Sequence, residues 1–429
     1  MNISRTPVLA AAALALLAPL TACGSDAGAE DGKTLRLWHY EEKDGALGKA
    51  WAAAISEFKK THPDVKVEFE QKTFDQIQQN ASMILNSDKA PDVLEYNKGN
   101  ATTGELGKQG LLTDLTPLVE KRGWDKKISE SASLTARYDE KGEMGGEKWY
   151  GIPNYGEFVL AYYNDDLFKK YKVGKPTDFA SFEAALAKFK KAGITPLANA
   201  GNDHPAEHWL YLLALSQADK KWVDDYQLYE GKVDFHGKEW TYAANKYKEW
   251  LDKGYFEKKD VGLKGTDMTE QFVARKRPIM VGGNWWFGGL TNDIKDFSWS
   301  TSPYPGSELT AGSGGNNWVI PTKAKNKKLA EDFIGITMSP KIQKLIGEGG
   351  NIPLAAKPDT IKNPKSRQLI DAFDQYQKND GLALYPDWPV PGYYDTFVGS
   401  TQNLINGTSP KTVLDQLAAP YEKYIATRR

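Results

Sequence analysis

The chain has 429 residues and is almost neutral, with 55 lysines and arginines against 56 aspartates and glutamates and a formal charge of −1. That balance excludes the strongly basic footprint of a nucleic-acid binder. Its single cysteine excludes an internal disulfide and a thiolate metal cluster, and neither a metal nor a cofactor is expected.

The chain opens with a basic start, Arg5, and an apolar run from Val8 to Leu20 interrupted only by Pro19. The run is about 13 residues, well under the ~20 needed to cross a bilayer. The small residues Ala22 and Gly24 flank the cysteine, so residues 1–22 read as a cleaved export signal. Cys23, closing Leu20-Thr21-Ala22-Cys23, then resembles the lipidated N-terminus of a bacterial lipoprotein. Residues 23–33 are small, polar and acidic and read as a tether. The expected location is the outer face of the cell membrane, held by a lipid on Cys23.

Thr34 to Tyr40 alternate apolar and polar side chains like a strand. Leu47, Trp51, Ala54, Ile55 and Phe58 follow at helical spacing, stopping before His62-Pro63. Val65, Val67 and Phe69 predict a second strand, Phe74 to Leu85 a helix, and Asp92 to Tyr96 a third strand. After Trp149-Tyr150-Gly151-Ile152-Pro153, Phe158 to Tyr163 is a strand. Thr177 is the expected cap of a helix carrying Phe182, Ala185, Leu186 and Phe189, closed by Gly193. Pro278 to Val281 and Asn317 to Ile320 read as strands, and Leu329 to Thr337 as a helix. Strands alternating with helices predict a mainly parallel sheet in an α/β fold, and about 400 mature residues suffice for two such lobes.

The ordered blocks Leu35 to Tyr40, Phe58 to Val67, Ala90-Pro91-Asp92-Val93, Gly110 to Leu115, Trp149 to Pro153 and Tyr163 to Phe168 resemble the extracellular solute-binding proteins of bacterial ABC sugar importers, the family that includes maltose-binding protein. The resemblance implies a two-lobed periplasmic-binding-protein-like (type II) fold with a ligand cleft between the lobes. One lobe would hold 34–148 and 300–348, the other 149–299 and 349–429, with crossovers near Trp149, Ser300 and Gly349. It also implies a monomer that binds a carbohydrate, closes on it and delivers it to membrane permease subunits, with no catalysis of its own.

A sugar offers apolar C–H faces ringed by hydroxyls, so its site needs flat aromatic rings beside amides and carboxylates. Ligands of open α/β sheets sit at the carboxyl ends of strands, which brings His39, Tyr40, Tyr96, Asn97 and Asn100 into reach. The family pattern adds Glu42, Asn97 and Glu157 as hydroxyl partners, and alternation puts Tyr155 on the same side as Glu157. Trp285 or Trp286 would supply a platform. Gly315 and Asn316 would approach the ligand at a glycine-rich turn, and Trp388 would close over the cleft. His204 and Trp209 are expected at the cleft edge. His204-Pro205-Ala206-Glu207-His208 also matches an H-x-x-E-H zinc pattern, but Pro205 predicts that the helix begins there, leaving His204 out of register with His208. A secreted glycoside hydrolase and a carrier of another solute are the alternatives. Within the sugar reading, a plant-derived disaccharide or short oligosaccharide such as xylobiose or cellobiose is favoured.

Overall fold

The computed structural model describes residues 32–356 and 358–428; the expected export signal 1–22 and the expected lipidation site Cys23 lie outside the described residues. In chain order the elements that place the site begin with β1 (Thr34–His39), α1 (Ala46–Thr61), β2 (Lys66–Gln71), α2 (Phe74–Leu85) and β3 (Val93–Tyr96). Leu35, Leu37 and His39 are buried while their neighbours are half-exposed, so β1 alternates as its sequence requires. Trp51, Ala54 and Phe58 form the buried stripe of α1. A capping box between Thr73 and Gln76 starts α2. The Asp92 carboxylate, fully buried, accepts from the amides of Arg36 and Asn326 at 2.8 Å each, tying the entry of β3 to two distant segments.

The chain continues through β4 (Ile152–Pro153), the ten-residue β5 (Tyr155–Asn164), α3 (Phe179–Lys191), α4 (His204–Leu215), α5 (Lys238–Asp252), β6 (Ile279–Gly283), β7 (Trp299–Ser302), β8 (Gly312–Gly314) and β9 (Asn317–Val319). Then follow α6 (Lys327–Thr337), α7 (Pro340–Glu348), β10 (Ile352–Pro353), α8 (Pro364–Lys378), α9 (Tyr393–Ile405) and α10 (Pro410–Ala426). Asp178, not Thr177, caps α3, its carboxylate accepting from the Ser181 amide at 2.7 Å.

Two five-stranded sheets result. The first has the order β2-β1-β3-β9-β4, with β1 parallel to both β2 and β3 and with β9 antiparallel to its neighbours. In the second, β5 pairs antiparallel with β8 and β10 along its first half and with β6 and β7 along its second. The expected mainly parallel arrangement therefore holds only for β2-β1-β3. Each sheet anchors a lobe with its own apolar core, one around Trp51, Phe58, Trp318 and Phe333, the other around Trp209, Trp240, Trp250 and Tyr226. The fold is α/β and two-lobed.

The chain changes sheet at Asn154, between β8 and β9, and between α7 and β10. The first and third changes lie within a few residues of Trp149 and Gly349. The second falls at Gly315-Asn316 rather than at Ser300, because β7 and β8 both pair with β5 and stay in the second lobe.

Candidate functional site

The two sheets meet where β1 and β3 end and β5 begins, and charged side chains from both lobes share that junction. Lys98, two residues beyond β3, is almost wholly buried and pairs with Glu157 of β5. Its Nζ also donates to Asn316 Oδ1 at 3.0 Å. Asn316 Nδ2 donates to Tyr155 Oη at 2.8 Å, and that hydroxyl reaches Glu41 Oε1 at 3.4 Å. A continuous polar chain, Lys98–Asn316–Tyr155–Glu41 with Glu157 on the ammonium, thus joins both lobes at the crossover. Burial pulls the Lys98 ammonium below its usual range, with Glu157 opposing the shift. Burial pushes the Glu41 carboxyl up to about 7; a hydrogen bond with Glu95 opposes this and the Glu157 charge adds to it.

Glu42, the residue expected in this place, is exposed, and its carbonyl accepts from Gly45 at 3.0 Å in a turn leading into α1. That turn presents the preceding glutamate instead. The Tyr40 ring stands edge-on to Phe74 at 5.3 Å, and its hydroxyl is buried without a partner.

Aromatic rings from the second lobe form the opposite wall. Asn284, Trp285 and Trp286 make one tight helical turn after β6 rather than an extended segment. Both indoles consequently turn towards His204: Trp286 stacks on it at 5.4 Å and 18°, and Trp285 meets it edge-on at 5.5 Å. The glycines of β6 make room for them, since a Cβ on Gly282 would sit 2.3 Å from the Trp286 ring and one on Gly283 would sit 1.9 Å from Trp285. His208, Tyr385 and Trp388 continue the wall, with centroid spacings of 5.4 Å from His208 to Tyr385 and 5.1 Å from Tyr385 to Trp388. Lys98 Nζ stands 5.5 Å and 5.2 Å from the Tyr385 and Trp388 rings, within cation–π range.

His204 and His208 are closer than expected. Asp203 takes the cap of α4, binding the His204 amide at 2.8 Å and its Nδ1 at 2.6 Å, so the helix begins at His204 and the two imidazoles lie 5.0 Å apart. Among the described residues no group of three or more His, Cys, Asp or Glu side chains could hold a metal ion. Against the effect of burial, Asp203 raises the His204 imidazolium above its usual range. Burial pulls neutral His208 down, and its Nδ1 has no partner.

Trp209 is not at the cleft edge. It is fully buried among Phe182, Trp250, Phe256 and Tyr304, in the core of the second lobe. Asn100 is buried and spent on the backbone, donating to the Gln227 carbonyl at 2.9 Å and accepting from the Met144 amide at 2.8 Å. Asn97 Oδ1 accepts from the amide of Lys98 at 3.0 Å. Tyr96 packs with Leu94 and Val319. The His39 ring lies 4.5 Å from Phe69, and burial pulls its imidazolium down to about 4. Gly315 lets the chain pass beside Tyr155, where a Cβ would lie 2.3 Å from the ring.

Sequence reading missed Lys98, Glu41, His208, Tyr385 and Asp387. Asp387, half-buried, lies where the charges of Lys98, His204 and Glu157 act on it, and burial pushes its carboxyl up to about 6. Lys98 and Glu41 each adjoin a residue singled out from the strand ends, so the loops that reach the junction of the lobes were legible but the side chain that faces it was not. Across the rim, Phe74 faces Tyr394 at 6.3 Å, and Lys264 approaches Asp75 at 3.8 Å.

The model of the bacterial extracellular solute-binding protein family matches residues 43–344. The chain is 24% identical to a diacetylchitobiose binding protein of Streptomyces coelicolor, over 96% of this chain and 97% of the other. It is 25% identical to a maltooligosaccharide ABC transporter solute-binding lipoprotein of Streptococcus pneumoniae, over 87% and 86%. Among solved structures, a chitin oligosaccharide binding protein superposes with a TM-score of 0.77 at 20% identity, covering 92% of this chain and 99% of that one.

Proposed function

Because the chain belongs to the bacterial extracellular solute-binding protein family, we propose that it captures a saccharide between its lobes and hands it unaltered to the permease of an ABC importer. The observation that carries this reading is the pairing of an aromatic wall (His204, Trp285, Trp286, Tyr385) with a polar chain (Glu41, Tyr155, Asn316, Glu157) across the junction of the lobes. Indoles and phenols suit the C–H faces of pyranose rings, and the amides and carboxylates suit their hydroxyls. Relatives named for oligosaccharides support the same ligand class. Closure pivots on the three changes of sheet, as in periplasmic binding proteins generally. The lipid on Cys23 keeps a monomeric carrier beside its permease, and the ligand is a disaccharide or short oligosaccharide.

A thermal-shift screen with xylobiose, cellobiose, diacetylchitobiose and maltotriose tests the reading, since a ligand of the native state raises the melting temperature by mass action. A saturable upward shift without release of new reducing ends is expected. Turnover of any of these glycans favours a hydrolase, and no shift with any of them removes the saccharide reading. Separately, Cys23→Ala moves the protein from the membrane fraction to the medium if the anchor is correct.

A further inference from the structure

Glu95 is fully buried and belongs to neither the aromatic wall nor the polar chain. It stands on β3 directly across from Trp318 of β9. It also shares a strand face with Val93, so it enters the apolar core around Trp51, Trp318 and Phe333. As a carboxylate it would have no partner there, since neither Oε1 nor Oε2 receives a hydrogen bond. A dry, unpaired carboxylate is costly enough that such a group takes up a proton instead. Lys98 acts on Glu95, but its ammonium already holds Glu157 and Asn316. The acid Glu95 meets is Glu41, which Glu42 and Glu157 also approach, and the phenols of Tyr40 and Tyr155 complete the surroundings. Burial first, and then the Glu41 charge, pushes the Glu95 carboxyl well above the usual range.

We propose that Glu95 is a neutral carboxylic acid that donates its O–H to Glu41, and that Glu95 and Tyr155 together aim the Glu41 carboxylate at the hydroxyls of the ligand. Two glutamates that would otherwise repel become one oriented acceptor. Which of them keeps the proton follows from their places. Glu95 is sunk in the core, whereas Glu41 is only half-buried and has the Tyr155 hydroxyl at 3.4 Å as a second donor, so the negative charge is better solvated on Glu41. Glu95 is therefore a positioning residue, acting on the ligand through Glu41. Its purpose rests on the saccharide-carrier reading, but its protonation requires no sugar.

The test compares Glu95→Gln and Glu95→Leu with Glu120→Gln, a change at an exposed helix position. Native electrophoretic mobility near neutral pH reads the proton. Glu120→Gln is expected to remove one negative charge, and Glu95→Gln none, because Glu95 is already neutral. A Glu95→Gln shift as large as that of Glu120→Gln overturns the proposal. Binding of whichever glycan of the screen raises the melting temperature reads the positioning. Glu95→Gln keeps an N–H donor to Glu41 and should bind within about twofold of the parent, whereas Glu95→Leu removes the donor and should bind roughly tenfold more weakly. Equal binding by these two variants overturns the positioning role. If Glu95→Leu does not fold, a loss of roughly tenfold or more in Glu95→Gln overturns that role instead. If no glycan of the screen binds, the saccharide reading falls, while the mobility of Glu95→Gln still decides the proton.

Discussion

Trp388 lies so close to Gly99 that a Cβ on the glycine would stand 2.7 Å from the indole Cγ, and the Trp388 carbonyl accepts from the Ala101 amide at 2.9 Å. A loop of the second lobe is thereby seated on the turn that carries Lys98. Tyrosine hydroxyls hold this loop from behind, Tyr226 on the Pro386 carbonyl and Tyr229 on the Pro389 carbonyl. Gln227 adds a bond to the Tyr385 carbonyl at 2.8 Å.

Gly99→Ala is expected to unseat Trp388. Gly99 has φ +114, so any side chain there also brings backbone strain of roughly 1–3 kcal/mol. Gly110→Ala separates the two effects, because Gly110 has φ +71 but nothing within 4 Å of its Cβ position. Both variants should melt earlier than the parent. Only Gly99→Ala should also weaken glycan binding in calorimetry, and equal binding by the two variants contradicts the seating role.

Tyr155→Phe removes the hydroxyl that links Asn316 to Glu41. A buried amide donor left without a partner costs about 1–3 kcal/mol. Glycan affinity should fall roughly tenfold, with a near-unchanged far-ultraviolet spectrum. An affinity within twofold of the parent would show the chain to be dispensable.

Trp209→Ala and the pair Trp285→Ala with Trp286→Ala should fail in opposite ways. Trp209 is sealed in the core, so its removal should lower stability by roughly 3–5 kcal/mol in urea unfolding. The two half-exposed indoles should cost less stability and at least a tenfold loss of binding. Reversed outcomes would exchange the roles assigned to these rings.

Glu41→Gln should change how stability depends on pH. The Glu41 carboxyl is raised to about 7 in the folded protein, above its unfolded value of about 4.3. The folded state therefore keeps a proton that the unfolded chain has lost, and the stability this contributes is complete below about pH 4 and declines as pH rises to about 7. His39, lowered to about 4, has the opposite slope, losing stability as pH falls below about 6.5. The informative quantity is thus the difference between Glu41→Gln and the parent, which should shift in favour of the variant between about pH 5 and pH 7.5. A difference that stays constant over that range rules out a protonated Glu41.

The strand ends were readable because they combine a local alternation with a change to polar and aromatic residues. Thr34 to His39 and Val93 to Tyr96 lie within a residue or two of their expected bounds, and the loops after them carry Glu41 and Lys98 to the junction of the lobes. Within those loops the choice slipped by one position. Glu41 rather than Glu42 turns inward, because the turn closing on Gly45 is set by backbone hydrogen bonding and not by side-chain pattern. One or other indole after β6 was expected to supply the platform; a single helical turn brings both to His204.

Composition, the placing of the lone cysteine and the alternation of strand with helix were enough to expect an exported α/β chain of two lobes, because such signals are local or summed over the whole sequence. Which tryptophan is core and which faces the cleft was beyond them. Every residue of α4 from Pro205 to Leu215 is buried, so Trp209 stands on no distinguishable face. The partnership of Lys98 with Glu157 likewise joins residues 59 apart across separate lobes. Only the packing of one sheet's end against the other's beginning brings them together, since desolvation and charge pairing depend on distance in space rather than along the chain.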